Sequence, residues 1–137
     1  MSKTLRKKTT FNELPLYRSI NMFMLFITPV LFNCSKDIKQ TYGDKIIKLG
    51  IETLVILKKS YNERDFDKKN LYVNDIYNYI SSIELLFKIL FELGHINEKT
   101  QANVSIQIGD ILTQTQGWMK SIKRSLGENE NEIDTLI

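Results

Sequence analysis

Apolar side chains recur at helical spacing in four long segments of the chain. In the last segment, from Val104 to Arg124, they advance in alternating steps of four and three residues. This spacing stacks them on one face of an α-helix. The stripe consists of Val104, Ile108, Ile111, Thr115, Trp118 and Ile122. Such a helix needs partner helices to bury its stripe, and the rest of the chain supplies three.

The first predicted helix runs from about Leu14 to Asn33. Pro15 suits its first turn, because a proline there loses no intrahelical hydrogen bond. The middle, Met22 to Ile27, is apolar nearly all round, which exceeds the ~100° stripe that a surface helix buries against its own domain. A second face must therefore be covered by something else. Pro29 lacks an N–H group, so we expect a kink or a tightened turn at that residue.

The second predicted helix runs from about Tyr42 to Tyr61. Thr41 is placed to cap it, and Asp44, three residues later, completes an approximate capping box. Apolar and amphipathic residues form its inward stripe, namely Ile46, Ile47, Ile51, Leu54, Leu57, Lys58 and Tyr61. The remaining charged residues are expected to face outwards.

Gly94 separates the last two predicted helices. The third helix, from about Asp67 to Leu93, carries a heptad-like apolar seam and ends at this glycine as at a C′ position. Asn97 begins the fourth helix, which runs from Glu98 to about Ser125 and is expected to stop at Gly127.

Four helices of ~20 to ~28 residues joined by short loops favour antiparallel neighbours. We therefore predict an all-α protein, an antiparallel up-down four-helix bundle that fills residues 14–125. A basic tail (1–13) precedes it and an acidic tail (126–137) follows it. The tail charges are opposite in sign and expected to be solvated. They are Lys3, Arg6, Lys7 and Lys8 at one terminus, and Glu128, Glu130, Glu132 and Asp134 at the other.

Composition agrees with one globular domain. The 137 residues are 42% hydrophobic and 26% charged, and the net charge is +3. Two prolines and six glycines leave little room for a turn-rich β fold. The chain is long enough for a single core and too short to divide readily into two.

Cys34 is the only cysteine, so no intrachain disulfide can form, and a reducing cytoplasm fits this usage. The alternative is a bacterial lipoprotein signal, because a basic start and the apolar run Ile20 to Phe32 precede this cysteine. Phe32 and Asn33 are bulky where such a signal needs small residues. The run is also shorter than the ~20 apolar residues of a membrane span. We therefore predict a cytoplasmic protein that does not bind a membrane.

The chain lacks a recognisable catalytic or metal-binding constellation. His95 is the only histidine, which excludes a zinc site with several Cys or His ligands. A di-iron bundle site needs a Glu-x-x-His motif on each of two helices, and a single histidine cannot supply both, which excludes such a site. Cys34 and His95 lie in or beside separate connections, and no sequence feature brings them together as nucleophile and base. We predict no enzyme activity, no metal and no cofactor.

Two groups of basic residues form the candidate functional surface. One surrounds the start of helix two and the other the end of helix four, so an up-down bundle places them at opposite ends. Such clusters bind phosphate by releasing counterions. The alternative is a solvated lysine face without a ligand. The candidate phosphate contacts are Lys36, Lys39, Lys45, Lys48, Lys120, Lys123 and Arg124.

Several short motifs share the spacing of one protein family. Pro29 precedes Cys34-Ser35-Lys36 and Thr41-Tyr42-Gly43-Asp44-Lys45-Ile46, and helix four carries Ile108-Gly109 and Gly117-Trp118-Met119-Lys120. With these residues the chain resembles the bacterial four-helix-bundle family of the accessory variability determinant (Avd) of diversity-generating retroelements. The same family includes proteins encoded in intervening sequences of large-subunit ribosomal RNA genes. The resemblance covers roughly Leu16 to Lys123.

The resemblance implies a homo-oligomeric ring, a pentamer in retroelement members, that binds RNA and DNA electrostatically and docks a reverse transcriptase. The surplus apolar faces of helices one and three favour oligomerisation independently. Helix three lacks the arginines of retroelement members, so the resemblance supports the fold more strongly than nucleic-acid binding. Packing or interface roles are implied for Pro29, Gly43, Gly109, Gly117 and Trp118, with Gly109 and Gly117 where backbones approach closely.

Together these observations predict a non-enzymatic accessory protein that binds nucleic acid and a reverse transcriptase. The alternative function is that of a self-assembling structural or protein-interaction bundle whose lysines are only solvated.

Overall fold

The computed structural model describes the backbone of residues 10–136 and the side chains of residues 10–127. The tail charges predicted from the sequence lie outside the described side chains. They are Lys3, Arg6, Lys7, Lys8, Glu128, Glu130, Glu132 and Asp134. The described part consists of four long helices and contains no strand, so the predicted all-helical fold is confirmed.

The four helices are separated by connections of residues 33–35, 63–65 and 93–97. A short 3-10 turn, Phe11–Glu13, leads into α1, which is Pro15–Phe32. Helix α2 (36–62) consists of α-helical Lys36–Ile38, a π-helical turn at Lys39–Gly43 and α-helical Asp44–Asn62. Helix α3 is Phe66–Glu92 and helix α4 is Glu98–Leu136.

Each helix packs against the next in the chain, and α4 returns to pack against α1. Phe11, before α1, contacts Tyr61 near the end of α2, with ring centroids 5.7 Å apart. At the other end, Cys34 Sγ lies 3.9 Å from the carbonyl oxygen of His95, which precedes α4. Neighbouring helices therefore run antiparallel, and α1 lies diagonally opposite α3.

Large apolar side chains from all four helices meet in one core. Phe23 of α1 and Phe87 of α3 are both fully buried. Their rings meet edge to face, with centroids 6.3 Å apart, a geometry that aromatic pairs prefer. This pair joins the two diagonal helices through the middle of the bundle.

Helix α2 begins earlier than the sequence predicts. Ser35 is its cap, since the Ser35 hydroxyl accepts a hydrogen bond from the N–H of Ile38. Thr41 is not a cap, because its hydroxyl donates to the carbonyl of Asp37 one turn back within the helix, at 2.8 Å. The π-helical turn joins the short helix before it to the long helix after it. Residues 36–41, which precede the predicted start of helix two, are therefore helical.

The buried face of α2 is also rotated relative to the prediction. Ile51, predicted to face inwards, is exposed, and so is Lys58. Gly50, Thr53 and Ser60 are buried instead. The Thr53 hydroxyl donates to the Leu49 carbonyl at 2.7 Å, which satisfies this polar group inside the core.

Gly50 is the glycine at which α1 and α2 approach closely. A Cβ built on it would lie 2.6 Å from Cε of Met24 and closer still to Sδ of that residue. At Gly43, also buried, a Cβ would meet Leu31 Cβ at an ordinary 3.8 Å. A side chain at position 50 therefore has to displace the flexible end of Met24, whereas one at position 43 displaces nothing.

The connection between α3 and α4 has the local geometry that the sequence predicts. Gly94 has φ +81°, in the left-handed region that favours glycine. The N–H of His95 donates to the Leu90 carbonyl and the N–H of Gly94 to that of Phe91, which is the Schellman arrangement. Asn97 Oδ1 then accepts from the N–H of Thr100 at 2.8 Å and caps α4. The predicted stop at Gly127 is wrong, since α4 extends to Leu136.

Helix α1 continues through Pro29, which is exposed on its outer face.

By length and composition α1 could cross a membrane, with 18 residues at a mean hydropathy of 1.3. The short apolar run therefore does not exclude a span, contrary to the prediction. A core helix of a soluble protein passes the same test, and α1 buries one residue of every turn in the bundle, namely Leu16, Ile20, Phe23, Ile27 and Leu31.

Candidate nucleic-acid interface

The seven candidate phosphate contacts lie at two opposite ends of the bundle, as the predicted topology requires. Four of them belong to the first part of α2, at the end where α4 begins. Lys120, Lys123 and Arg124 belong to the part of α4 beside the start of α3. Between Thr100 and Lys123, α4 rises ~35 Å at ~1.5 Å per residue. One subunit therefore cannot bring the two groups together.

Carboxylates accompany the lysines at the start of α2. We call residues 31–48 and 84–101 the balanced end, because six lysines stand there beside five carboxylates. Asp37 and Asp44 alternate with the predicted contacts Lys36, Lys39 and Lys45 along the same helix. The local charges nearly cancel, so this end attracts phosphate weakly.

One of the predicted contacts at the balanced end has a protein partner. Lys39 is half-buried, and its Nζ lies 5.9 Å from the centroid of the Phe32 ring, within cation–π range. Lys45 lines a groove with Tyr79 and Leu86 of α3. Lys36 and Lys48 are exposed. Lys58 Nζ, at the other end of the bundle, lies 4.5 Å from the centroid of the Phe11 ring, so a cation–π contact engages one lysine at each end.

The opposite end collects cations from all four helices. We call residues 10–18, 58–70 and 118–127 the lysine-rich end; it has nine lysines and arginines against four carboxylates. Besides the predicted Lys120, Lys123 and Arg124, these cations are Arg18, Lys58, Lys59, Arg64, Lys68 and Lys69. The excess positive charge of the described side chains is therefore concentrated at one end of the bundle.

The sequence interpretation missed the cations near the α2–α3 connection. Lys58 and Lys59 lie near the end of α2, and Lys68 and Lys69 lie in the first turn of α3, on either side of the connection 63–65. The antiparallel topology places this connection beside the end of the bundle that holds Lys120. The signal was the pair of Lys-Lys dipeptides on either side of a predicted turn.

One outward face of α4 carries both the predicted glycines and the predicted cations. Gly109, Gly117, Lys120 and Arg124 recur at steps of eight, three and four residues and are all exposed. A Cβ built on Gly109 or on Gly117 would meet no atom within 4 Å. The expected close packing at these glycines is therefore wrong within the subunit, and Gly50 has that role.

A cleft of about 210 Å³ opens between α3 and α4 at the lysine-rich end. Phe66 and Lys69 line it from α3, and Trp118, Ser121 and Ser125 line it from α4. Trp118 is half-buried and also packs against the core, as an anchoring residue does. Lys120 and Lys123 lie outside this cleft and line a shallow groove with Gln116 and Met119.

Cys34 and His95 meet at the balanced end, which the sequence did not predict. The Cys34 thiol faces the backbone carbonyl of His95. Burial raises the pKa of the Cys34 thiol, and the charge of Lys39 lowers it only in part. A raised pKa favours the protonated thiol, whereas a nucleophilic cysteine needs the thiolate. Among the described residues, no three His, Cys, Asp or Glu side chains are grouped as metal ligands.

Two apolar faces of the bundle are exposed. On α1, Met22, Leu25 and Phe32 are 67%, 68% and 58% exposed, on either side of Pro29. On α3, Leu85 and Leu93 are 62% and 56% exposed, with Ile89 between them. We call these the α1 face and the α3 face. Because α1 and α3 are diagonal in the bundle, the two faces point in opposite directions.

Comparisons of the chain with protein-family models, with curated proteins and with solved structures give no match. The likeness to the Avd family therefore rests on the motifs that carry it.

Proposed function

We propose that this chain is a non-enzymatic, cytoplasmic accessory protein that binds the backbone of RNA or DNA through its lysine-rich end. The observation that supports this proposal is the excess of nine cations over four carboxylates among the described side chains of that end; Glu128, Glu130, Glu132 and Asp134 lie outside this count. The balanced end, with six lysines against five carboxylates, offers a matched comparison within the same molecule.

Phosphate binding by such a surface needs no shaped pocket. Lysine and arginine side chains release counterions from the nucleic acid, and the entropy of that release drives binding. Cations from several helices, held by a rigid bundle, present charge over a broad area rather than along one helix. This arrangement suits a long polyanion better than a single small anion.

A reverse transcriptase is the protein partner that the family resemblance implies, through the spacing of Gly117-Trp118-Met119-Lys120 and the motif around Gly43. We include this partner in the proposal. Co-purification of the chain with a reverse transcriptase encoded beside its own gene tests this part separately. A reverse transcriptase that is fully active and never associates with the chain would contradict it.

The decisive experiment compares charge reversal at the two ends. The variant K120E/K123E/R124E changes the lysine-rich end, and K36E/K45E/K48E makes the same change in charge at the balanced end. Binding of a structured RNA is measured from low to moderate salt. We expect the first variant to weaken binding at least tenfold and to reduce the salt slope by about 2 to 3, since each phosphate contact contributes ~0.7 to ~0.9.

The balanced-end variant should change the affinity and the salt slope much less. An affinity that ignores salt and both sets of substitutions would contradict nucleic-acid binding. A larger loss of affinity from K36E/K45E/K48E would mean that nucleic acid binds at the balanced end, contrary to our proposal.

The second candidate function is that of a self-assembling structural or protein-interaction module without a nucleic acid. The α1 face and the α3 face support it, because large apolar side chains exposed to this extent usually mark an interface. Two different faces on opposite sides of one subunit favour head-to-tail contacts, which close into a ring or grow into a filament. We propose the closed ring, and the family resemblance implies five subunits.

Assembly is tested by light scattering of the purified chain and of two variants. Leu25→Glu places a charge in the α1 face and Leu85→Glu in the α3 face, and each is expected to give smaller species. Ile106→Glu is the matched control, since Ile106 is 71% exposed on α4 and lies outside both faces. A defined ring that ignores nucleic acid would favour the second function, and a monomer at micromolar concentration would contradict both.

A further inference from the structure

The cleft at the lysine-rich end combines aromatic walls with polar side chains. Phe66 of α3 and Trp118 of α4 line it from two helices. The Ser125 hydroxyl donates to the Ser121 carbonyl at 3.2 Å, so its oxygen can still accept. Lys69 contributes one cation at the edge of the apolar walls.

We propose that this cleft takes an unpaired nucleobase from a single-stranded segment of the bound nucleic acid. The inference rests on the proposed function and adds to it a substrate class, namely single strands or looped regions. Aromatic side chains beside a basic surface bind single strands by stacking on the bases, while the cations follow the backbone. Trp118 and Phe66 supply the stacking surface, and Lys69 supplies the charge for the adjoining phosphate.

The size of the cleft favours one base over a whole small molecule. Its volume of about 210 Å³ is below the ~300 to ~1,000 Å³ of most ligand pockets. A base in a duplex is stacked and paired, and it must be extruded at an energetic cost before it can enter such a site. The cleft therefore discriminates between single strands and duplexes, which the exposed lysines by themselves do not.

Trp118 reports on its own site, because it is the only tryptophan in the chain. We would titrate the full-length protein with three probes: a single-stranded oligonucleotide, the corresponding duplex and an abasic strand of the same length. The single strand should quench Trp118 fluorescence. The abasic strand has the phosphates but no bases, so it should bind with a similar salt dependence and leave the fluorescence nearly unchanged.

Substitutions separate stacking from charge. Phe66→Leu retains the fluorescent reporter, and we expect it to weaken single-strand binding about tenfold, within the ~5- to ~150-fold that one stacked ring contributes. Trp118→Leu, followed with a labelled strand, should have a similar effect if the variant folds. Lys69→Gln should weaken both the normal and the abasic strand, whereas Lys99→Gln at the balanced end should weaken neither.

The outcomes distinguish this inference from the proposed function. Salt-dependent binding of both strands without quenching, and unchanged by Phe66→Leu, would overturn the base site and leave backbone binding intact. Equal quenching by the abasic strand would also overturn it. A chain that binds none of the probes would contradict the proposed function itself.

Discussion

The exposed glycines of α4 give a prediction that follows directly from the geometry. Gly109 and Gly117 lie inside the helix, and a Cβ on either would meet no atom within 4 Å. Alanine at such a position gains ~0.8 to ~1 kcal/mol over glycine, because glycine loses more backbone entropy in a helix. The two sites are ~12 Å apart along the helix axis, so their effects should add to about 2 kcal/mol.

The assay is urea denaturation followed by circular dichroism, at one fixed protein concentration. The concentration is fixed because association shifts apparent stability by mass action. Each single variant, Gly109→Ala and Gly117→Ala, should raise the free energy of unfolding by about 1 kcal/mol. In thermal melts the double variant should gain roughly 6 to 10 °C, since 1 kcal/mol shifts Tm by a few degrees in a domain of this size.

Gly50→Ala is the matched control, since Gly50 lies in α2 with the Met24 side chain against it. There the propensity gain is offset in part, because Sδ and Cε of Met24, the flexible end of a half-buried side chain, have to move aside. In a Met24→Ala background the contact is relieved, and the same substitution should stabilise by about 1 kcal/mol. The difference between the two backgrounds measures the contact.

One result would refute this reasoning. If Gly109→Ala and Gly117→Ala destabilise the protein or break up its assembly, another surface covers the outward face of α4. The close-packing role that the family resemblance implies would then hold between subunits, and the interface would include α4 in addition to the α1 and α3 faces.

Three further predictions concern single residues. Gly94→Ala should cost ~1 to ~2 kcal/mol, because φ is +81° there; an unchanged urea midpoint would contradict the turn geometry. Asp65→Ala should cost ~0.5 to ~2 kcal/mol, because Asp65 Oδ1 accepts from the N–H of Asp67 at 2.9 Å and caps α3. Thr10→Ala, at a cap without a side-chain hydrogen bond, should cost nothing measurable in the same assay. Cys34 should react with iodoacetamide more slowly than a free cysteine at neutral pH, and the rate should rise with pH, because burial raises its pKa. Lys39→Gln should slow the reaction further, since the charge of Lys39 lowers that pKa, and a faster reaction would contradict the assignment.

Cys34 also predicts the direction in which stability changes with pH. Its pKa in the folded state is raised, so the folded protein favours the protonated thiol. That contribution is fully present below the pKa of the unfolded chain and is lost as pH rises through the folded pKa. Cys34→Ser should therefore reduce the loss of stability in alkaline solution. At neutral and acidic pH, the free energy of unfolding of this variant should depend on pH in the same way as that of the original protein.

The sequence by itself determined the helices and several of their ends. Apolar spacing predicted four helical segments, and Gly94 and Asn97 predicted the connection between α3 and α4. These features depend on the conformational preferences of a few neighbouring residues, and such preferences can be read directly from the sequence. The kink or tightened turn expected at Pro29 stays a prediction, since α1 continues through this residue as one helix.

Only the tertiary structure decided which side of each helix is buried and which charges become neighbours. The spacing in α2 allowed Ile51 or Gly50 to face the core, and in the packed bundle Gly50 is buried against Met24 of α1. Likewise, Lys69 and Lys123 are far apart in sequence, and the antiparallel packing of α3 and α4 brings them to one end. Burial and electrostatic field depend on distances between helices, and the pattern along one helix contains no such distance.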